Sequence, residues 1–145
     1  MTPPSEIAAL VAGLHHVAVA VPSIAEARGA YENVLGFQAG EPEHVADQRV
    51  NVLVMRAGGL RVELVEPAAP DSPVSRFLER RGSGLHHVAY RVVDIERALA
   101  ELACAGVRLI DRAPRPGAEG TRIAFVHPQG LGGVLTELVE EPAKP

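Results

Sequence analysis

Leu14-His15-His16-Val17-Ala18-Val19 returns 71 residues later as Leu85-His86-His87-Val88-Ala89-Tyr90. A repeat constrains a fold more than any single motif, because each copy must build the same unit and bury its apolar face. The likeness continues past the six residues. Val21-Pro22-Ser23-Ile24 opens a helical pattern ending at Leu35-Gly36, and Val93-Asp94-Ile95-Glu96 opens one ending at Ala105-Gly106. Ser23 and Asp94 suit the N-cap, and Gly36 and Gly106 suit the C-terminal stop.

Extended segments follow in each half, marked by β-branched residues and turn signals. They are expected over 37–44, 49–56 and 60–66 in the first half, and over 107–111, 121–127 and 133–139 in the second. The pattern is βαβββ twice, an α+β class. It predicts one domain over 14–139 with modules at about 14–66 and 85–139, a linker over 67–84 that includes a short helix at 73–81, and frayed ends at 1–6 and 141–145. Arg112 to Gly120, with two prolines and two glycines, reads as a mobile loop suited to covering a site.

Composition narrows the function. The 145 residues, 47% hydrophobic, suffice for one core. Acidic residues outnumber basic ones 18 to 14, which argues against nucleic acid as a partner. Cys104 is the only cysteine, so an intramolecular disulfide, a zinc finger and a thiolate-held cluster are excluded. A protein-held metal therefore needs histidine and carboxylate. Ile7 to Leu14 is too short an apolar run for a membrane span and lacks a basic flank, so a cytoplasmic setting is expected.

Strand alternation assigns the histidines. His15 shares a face with Val17, Val19 and Val21, the natural packing side, while His16 shares the other with Ala18 and Ala20. In the second copy His87 goes with Ala89, and His86 goes with Val88, Tyr90 and Val92, which makes Tyr90 a core residue. The last strands add Val62-Glu63-Leu64 and Thr136-Glu137-Leu138, glutamates 74 residues apart amid apolar neighbours. An acid there must be paired, coordinated or hydrogen-bonded. Two histidines and two glutamates in matching places form a mixed N/O ligand set for a divalent ion such as Co, Ni, Mn, Fe or Zn. His127 and Arg115 read as solvated or locally bonded loop residues, Glu79-Arg80-Arg81 as a solvated helix end, and Cys104 as a small buried helix residue.

A doubled βαβββ unit with a histidine on each first strand and a carboxylate on each last strand resembles the vicinal oxygen chelate superfamily. The resemblance covers 14–139. The segments Val62-Glu-Leu-Val-Glu-Pro67, Asp71-Ser-Pro-Val-Ser-Arg-Phe-Leu78, Gly84-Leu-His-His-Val-Ala89, Pro114-Arg-Pro-Gly117 and His127-Pro-Gln-Gly-Leu-Gly-Gly-Val-Leu-Thr-Glu-Leu138 look most like its methylmalonyl-CoA epimerase family. The resemblance implies a curved mixed β-sheet around a metal-binding cleft, with metal ligands on His16, Glu63, His87 and Glu137 and cobalt the favoured ion. It also implies an acyl-CoA substrate, Glu63 and Glu137 as catalytic acid/base groups, and a homodimer. Two positions depart from the family. A third-strand glutamate found in some epimerases falls on Val52, so that its role passes to Glu63, and a lysine common after the His-Pro is Gln129. A glyoxalase I-like lyase of the same fold and a metal-free sequestering protein of the resistance type are the competing readings.

Overall fold

The computed structural model describes residues 5–144. Its chain divides into two compact units, His16–His86 and the remainder. Both boundaries fall inside a His-His pair: the chain enters one unit at His16 and returns to the other at His87.

Strand β1 (Val11–Ala20) contributes its last five residues to the first unit. Helix α2 (Ile24–Gly29) follows and runs into a π-helical turn at Ala30–Val34. Ser23 caps α2, its Oγ accepting from the Glu26 N–H at 3.2 Å. Gly36 leaves the turn at φ +76°, a conformation that costs other residues a clash at Cβ. The expected strand at 37–44 is broken into β2 (Gln38–Ala39) and β3 (Glu43–Val45), both paired with β4 (Val50–Ala57). Gly40 to Pro42 separates them. Proline offers no N–H to a ladder and interrupts it. β4 turns into β5 (Leu60–Pro67), giving the order β2-β4-β5-β1 with β1 and β5 parallel. Helix α3 (Pro73–Arg81), capped by Ser72 and stopped at Gly82, packs on β5.

The second unit repeats the plan. It carries α1 (Ser5–Leu10), most of β6 (Gly84–Val92), α4 (Ile95–Cys104), β7 (Arg115–Pro116), β8 (Arg122–Val126) and β9 (Thr136–Glu140), in sheet order β6-β9-β8-β7. β6 and β9 are parallel, like β1 and β5. Asp94 caps α4 through the Arg97 N–H at 3.1 Å, and Gly106 ends the turn at φ +79°.

Several expectations need correction. Glu6, placed in a frayed end, lies in α1 and binds Arg97 at 3.0 Å; residues 1–4 and 145 lie outside the described chain. The strand at 107–111 reduces to one bridge, Leu109 to Val126. Its cause is Asp111, whose side chain accepts the Phe125 N–H at 2.9 Å and replaces a ladder bond. The loop at 112–120 is tied down by β7, by a 3₁₀ turn at Ala118–Gly120 and by the Arg115–Asp111 pair at 3.1 Å. Tyr90 is 40% exposed, because the cluster under α4 takes in Val92 and stops short of it. Cys104 is also exposed, since the buried stripe of α4 runs through Ile95, Ala98 and Leu99 and misses it.

Each unit has its own core. Val21, Ile24, Leu53, Met55 and Leu64 form one; Leu10, Val92, Ile95, Leu99, Val126 and Leu138 form the other. Ala89, Ile123 and Val139, with Phe125 against them, occupy the opposite sheet face of the second unit.

Candidate metal centre

The parallel pairing of β1 with β5 sets Ala18 opposite Glu63. Residues two apart on a strand share a face, so His16 and Glu63 emerge on the same side. Their side chains meet, His16 Nδ1 lying 3.2 Å from Glu63 Oε2. In the other unit β6 and β9 set Ala89 opposite Glu137, and His87 Nε2 lies 3.4 Å from Glu137 Oε1. All four side chains are buried, at 3% for His16, 8% for Glu63, 6% for His87 and 5% for Glu137. One register thus recurs twice: histidine, small residue two further on, and glutamate opposite the small residue.

The two pairs differ in what flanks them. Opposite Glu137 on β8 stands Phe125, whose ring meets the His87 imidazole edge-on with centroids 5.2 Å apart. Opposite Glu63 on β4 stands Val54, and Val52 is also buried. His87 is therefore held by an aromatic contact that has no counterpart at Val54. The first histidine of each pair makes its own contact: His15 Nε2 is 3.0 Å from Glu141 Oε1, and the His86 ring meets Phe77 edge-on with centroids 5.0 Å apart.

Each unit offers a buried imidazole nitrogen and a buried carboxylate oxygen at ligand-like spacing. Donors of this kind suit a divalent transition ion. Burying an acid among apolar strands is costly without a cation or hydrogen bonds to offset it, so the chemistry of the donors fits such an ion.

Sequence reasoning overlooked two residues that position these pairs. Glu66 Oε1 accepts the N–H of Ile24, the first residue of α2, at 2.7 Å, and Glu140 Oε2 accepts the N–H of Ile95, the first residue of α4, at 2.8 Å. A helix start has unsatisfied N–H groups and a partial positive charge, which a carboxylate answers on both counts. Each glutamate thus ties the helix that follows the histidine strand to the strand that carries the site glutamate. The signal was present in the sequence, where Glu63-Leu64-Val65-Glu66 recurs as Glu137-Leu138-Val139-Glu140.

His127 and Arg115 are locally bonded, as expected. Arg115 pairs with Asp111, and His127 Nδ1 accepts the Gln129 N–H at 3.0 Å. Gln129, in place of the family's lysine, accepts from Arg108 at 3.2 Å.

Residues 15–125 match the Glyoxalase/Bleomycin resistance protein/Dioxygenase superfamily. The chain belongs to this superfamily, and its fold is the vicinal oxygen chelate fold. Within the superfamily, it is 40% identical over 126 residues to the mitochondrial methylmalonyl-CoA epimerase of Bos taurus, covering 86% of this chain and 72% of that protein. The crystal structure of methylmalonyl-CoA epimerase from Mycobacterium tuberculosis superposes with TM-score 0.88 at 35% identity, over 92% of this chain and 91% of that one. A solved methylmalonyl-CoA epimerase in complex with methylmalonyl-CoA and NH4+ gives TM-score 0.87 at 32% identity, over 92% of this chain and 96% of that one.

Proposed function

We propose that the chain is an isomerase that interconverts (2R)- and (2S)-methylmalonyl-CoA by removing and returning the α-proton. The observation that carries the reading is the buried histidine–glutamate pair repeated at one register in both units. The likeness to epimerases of that name supplies the substrate. His16, Glu63, His87 and Glu137 would together hold one divalent ion, with cobalt favoured by family likeness among Co, Ni, Mn, Fe and Zn. When bound, such an ion supplies Lewis-acid stabilisation of the negative charge that develops on the substrate oxygens.

The chain's own residues do the rest. The carbon between a thioester and a carboxylate carries a weakly acidic proton, and a placed carboxylate lowers the barrier to its removal. Inversion needs one acid/base group for each face of the planar carbon. Glu63 and Glu137, one from each unit, fill the two roles: one takes the proton and the other returns one. Their apolar surroundings limit competing exchange with bulk water.

The test is to incubate (2R)-methylmalonyl-CoA in deuterated buffer with and without chelator and to follow label at the α-carbon. Metal-dependent uptake with inversion is expected, and no uptake overturns the reading. Turnover of a glutathione hemithioacetal in its place would assign the chain to the glyoxalase I-like lyases. Family likeness extends the proposal to a cytoplasmic homodimer of propionate metabolism, which sedimentation equilibrium would find at twice the chain mass. Among the described residues no helix is long and apolar enough to cross a membrane.

A further inference from the structure

We propose that His127 is a substrate-binding residue, whose Nε2–H donates a hydrogen bond to an oxygen of the malonyl thioester. The inference rests on the epimerase reading and adds a residue to it.

The tautomer comes first. His127 Nδ1 accepts the backbone N–H of Gln129 at 3.0 Å, so Nδ1 must present its lone pair and the ring proton sits on Nε2. Capping the turn at Pro128–Leu131 therefore leaves the imidazole with a donor at Nε2 in one fixed tautomer. The backbone around it is braced, with His127 N–H on Arg108 O at 3.0 Å and Gly130 N–H on His127 O at 3.2 Å.

Placement comes second, and it is settled within one unit. His127 follows β8 in extended conformation, at φ −61° and ψ 137°. Two residues beyond Phe125, it falls on the face that Phe125 shares with Glu137. Antiparallel pairing of Val126 with Thr136 puts His127 level with Leu135, and parallel pairing of Val88 with Thr136 puts His87 level with Leu135 too. Continued one residue past the last paired rung, Val126 with Thr136, these registers put His127 at the level and on the face of His87, two strands away, or about 10 Å between backbones. An imidazole at that distance reaches back toward a group held at His87 and Glu137. The natural acceptors there are the carboxylate and carbonyl oxygens of a malonyl thioester. Capping explains Nδ1 and leaves the directed Nε2–H to be explained.

Two substitutions separate the cap from the donor. Asn places its carbonyl oxygen where Nδ1 stands and has nothing at Nε2; Gln reaches the Nε2 position and gives up the cap. H127N is expected to keep the wild-type melting temperature while kcat/KM for methylmalonyl-CoA falls about 10- to 100-fold, the range for losing one hydrogen bond to a charged oxygen. H127Q is expected to melt lower and recover part of that loss. In the wild type, the ¹⁵N resonance of His127 Nε2–H should shift on adding malonyl-CoA. Full activity in H127N overturns the proposal, as does a loss of activity in the two variants that tracks their loss of stability, or an unmoved Nε2 resonance. Wild-type protein that fails to epimerise methylmalonyl-CoA would sink the epimerase reading itself, an outcome visible before either variant is made.

Discussion

A glutamate in a strand is defined by what stands beside it, and Glu63 and Glu66 show two outcomes three residues apart. Glu63 meets His16, while Glu66 meets the start of α2. The two buried histidine–glutamate pairs were legible in the sequence because each member recurs at a nearly constant offset and sits among apolar residues, where an unpaired acid would be costly. Glu66 and Glu140 escaped notice because an acid at a strand end reads as solvated until its backbone partner is seen. Tyr90 failed for the opposite reason: alternation gives its face and says nothing of how far the covering helix extends. At this scale the prediction is catalytic. Glu63→Gln and Glu137→Gln should each lower α-proton exchange by roughly 10²-fold or more, the scale of general-base catalysis, with far-ultraviolet circular dichroism unchanged. If both variants exchange label at wild-type rate, the glutamates are not the acid/base groups.

Elements are held by the same economy of residues. The start of α2 has three anchors: Ser23 as cap, the Ile24 N–H on Glu66, and Asn51 Nδ2 donating to the second Glu66 oxygen at 3.1 Å. Asn51 is itself bonded to His44 at 2.9 Å, so this glutamate sits in a short polar network. Glu66→Ala leaves Ile24 N–H and Asn51 without that acceptor and should cost about 1–3 kcal/mol in urea denaturation. Glu66→Gln keeps an acceptor oxygen and should recover most of it. Gly117 carries a different constraint: a Cβ there would come within 2.6 Å of Thr121 Oγ1 and 2.7 Å of Ile123 Cγ2. Gly117→Ala should therefore push apart the β7–β8 pairing and lower the melting temperature, whereas an alanine at Gly59, with nothing within 4 Å, should not. The capping residues and helix stops were legible because they follow local rules. The reduced strand near 109 was not, because a side chain 14 positions from its partner took the place of a ladder bond.

For the whole molecule, the sequence repeat was the most informative single feature, since the doubled βαβββ plan follows from it. It could not say where the chain passes between units, since that depends on packing. The proposed ion makes stability a function of metal concentration: at 100 times its Kd, a ligand that binds only the folded chain adds about 2.7 kcal/mol. Thermal melts with and without cobalt should show that gain in the wild type and lose it in His16→Ala. Acid acts on the surface pairs. Arg97 holds Glu6 below the usual carboxylate range through its hydrogen bond, and Arg28 does the same for Glu32. Their stabilisation is present above the unfolded carboxylate pKa and is lost as pH falls through the lowered folded values. Glu6 is exposed and Glu32 half-buried at the surface, so the effect should be small and should vanish in ~1 M salt, which an acid titration of the melting temperature at two ionic strengths would show. The recurring Glu-Leu-Val-Glu run also has an evolutionary corollary. Because its two acids face opposite ways, inserting or deleting one residue within it would put both on one face, so that either the histidine contact or the helix anchor is lost. Drift in length is thereby steered into the connecting turns, at Gly58-Gly59 and at 128–133, and duplicated halves can diverge in nearly everything except the frame of these two strands.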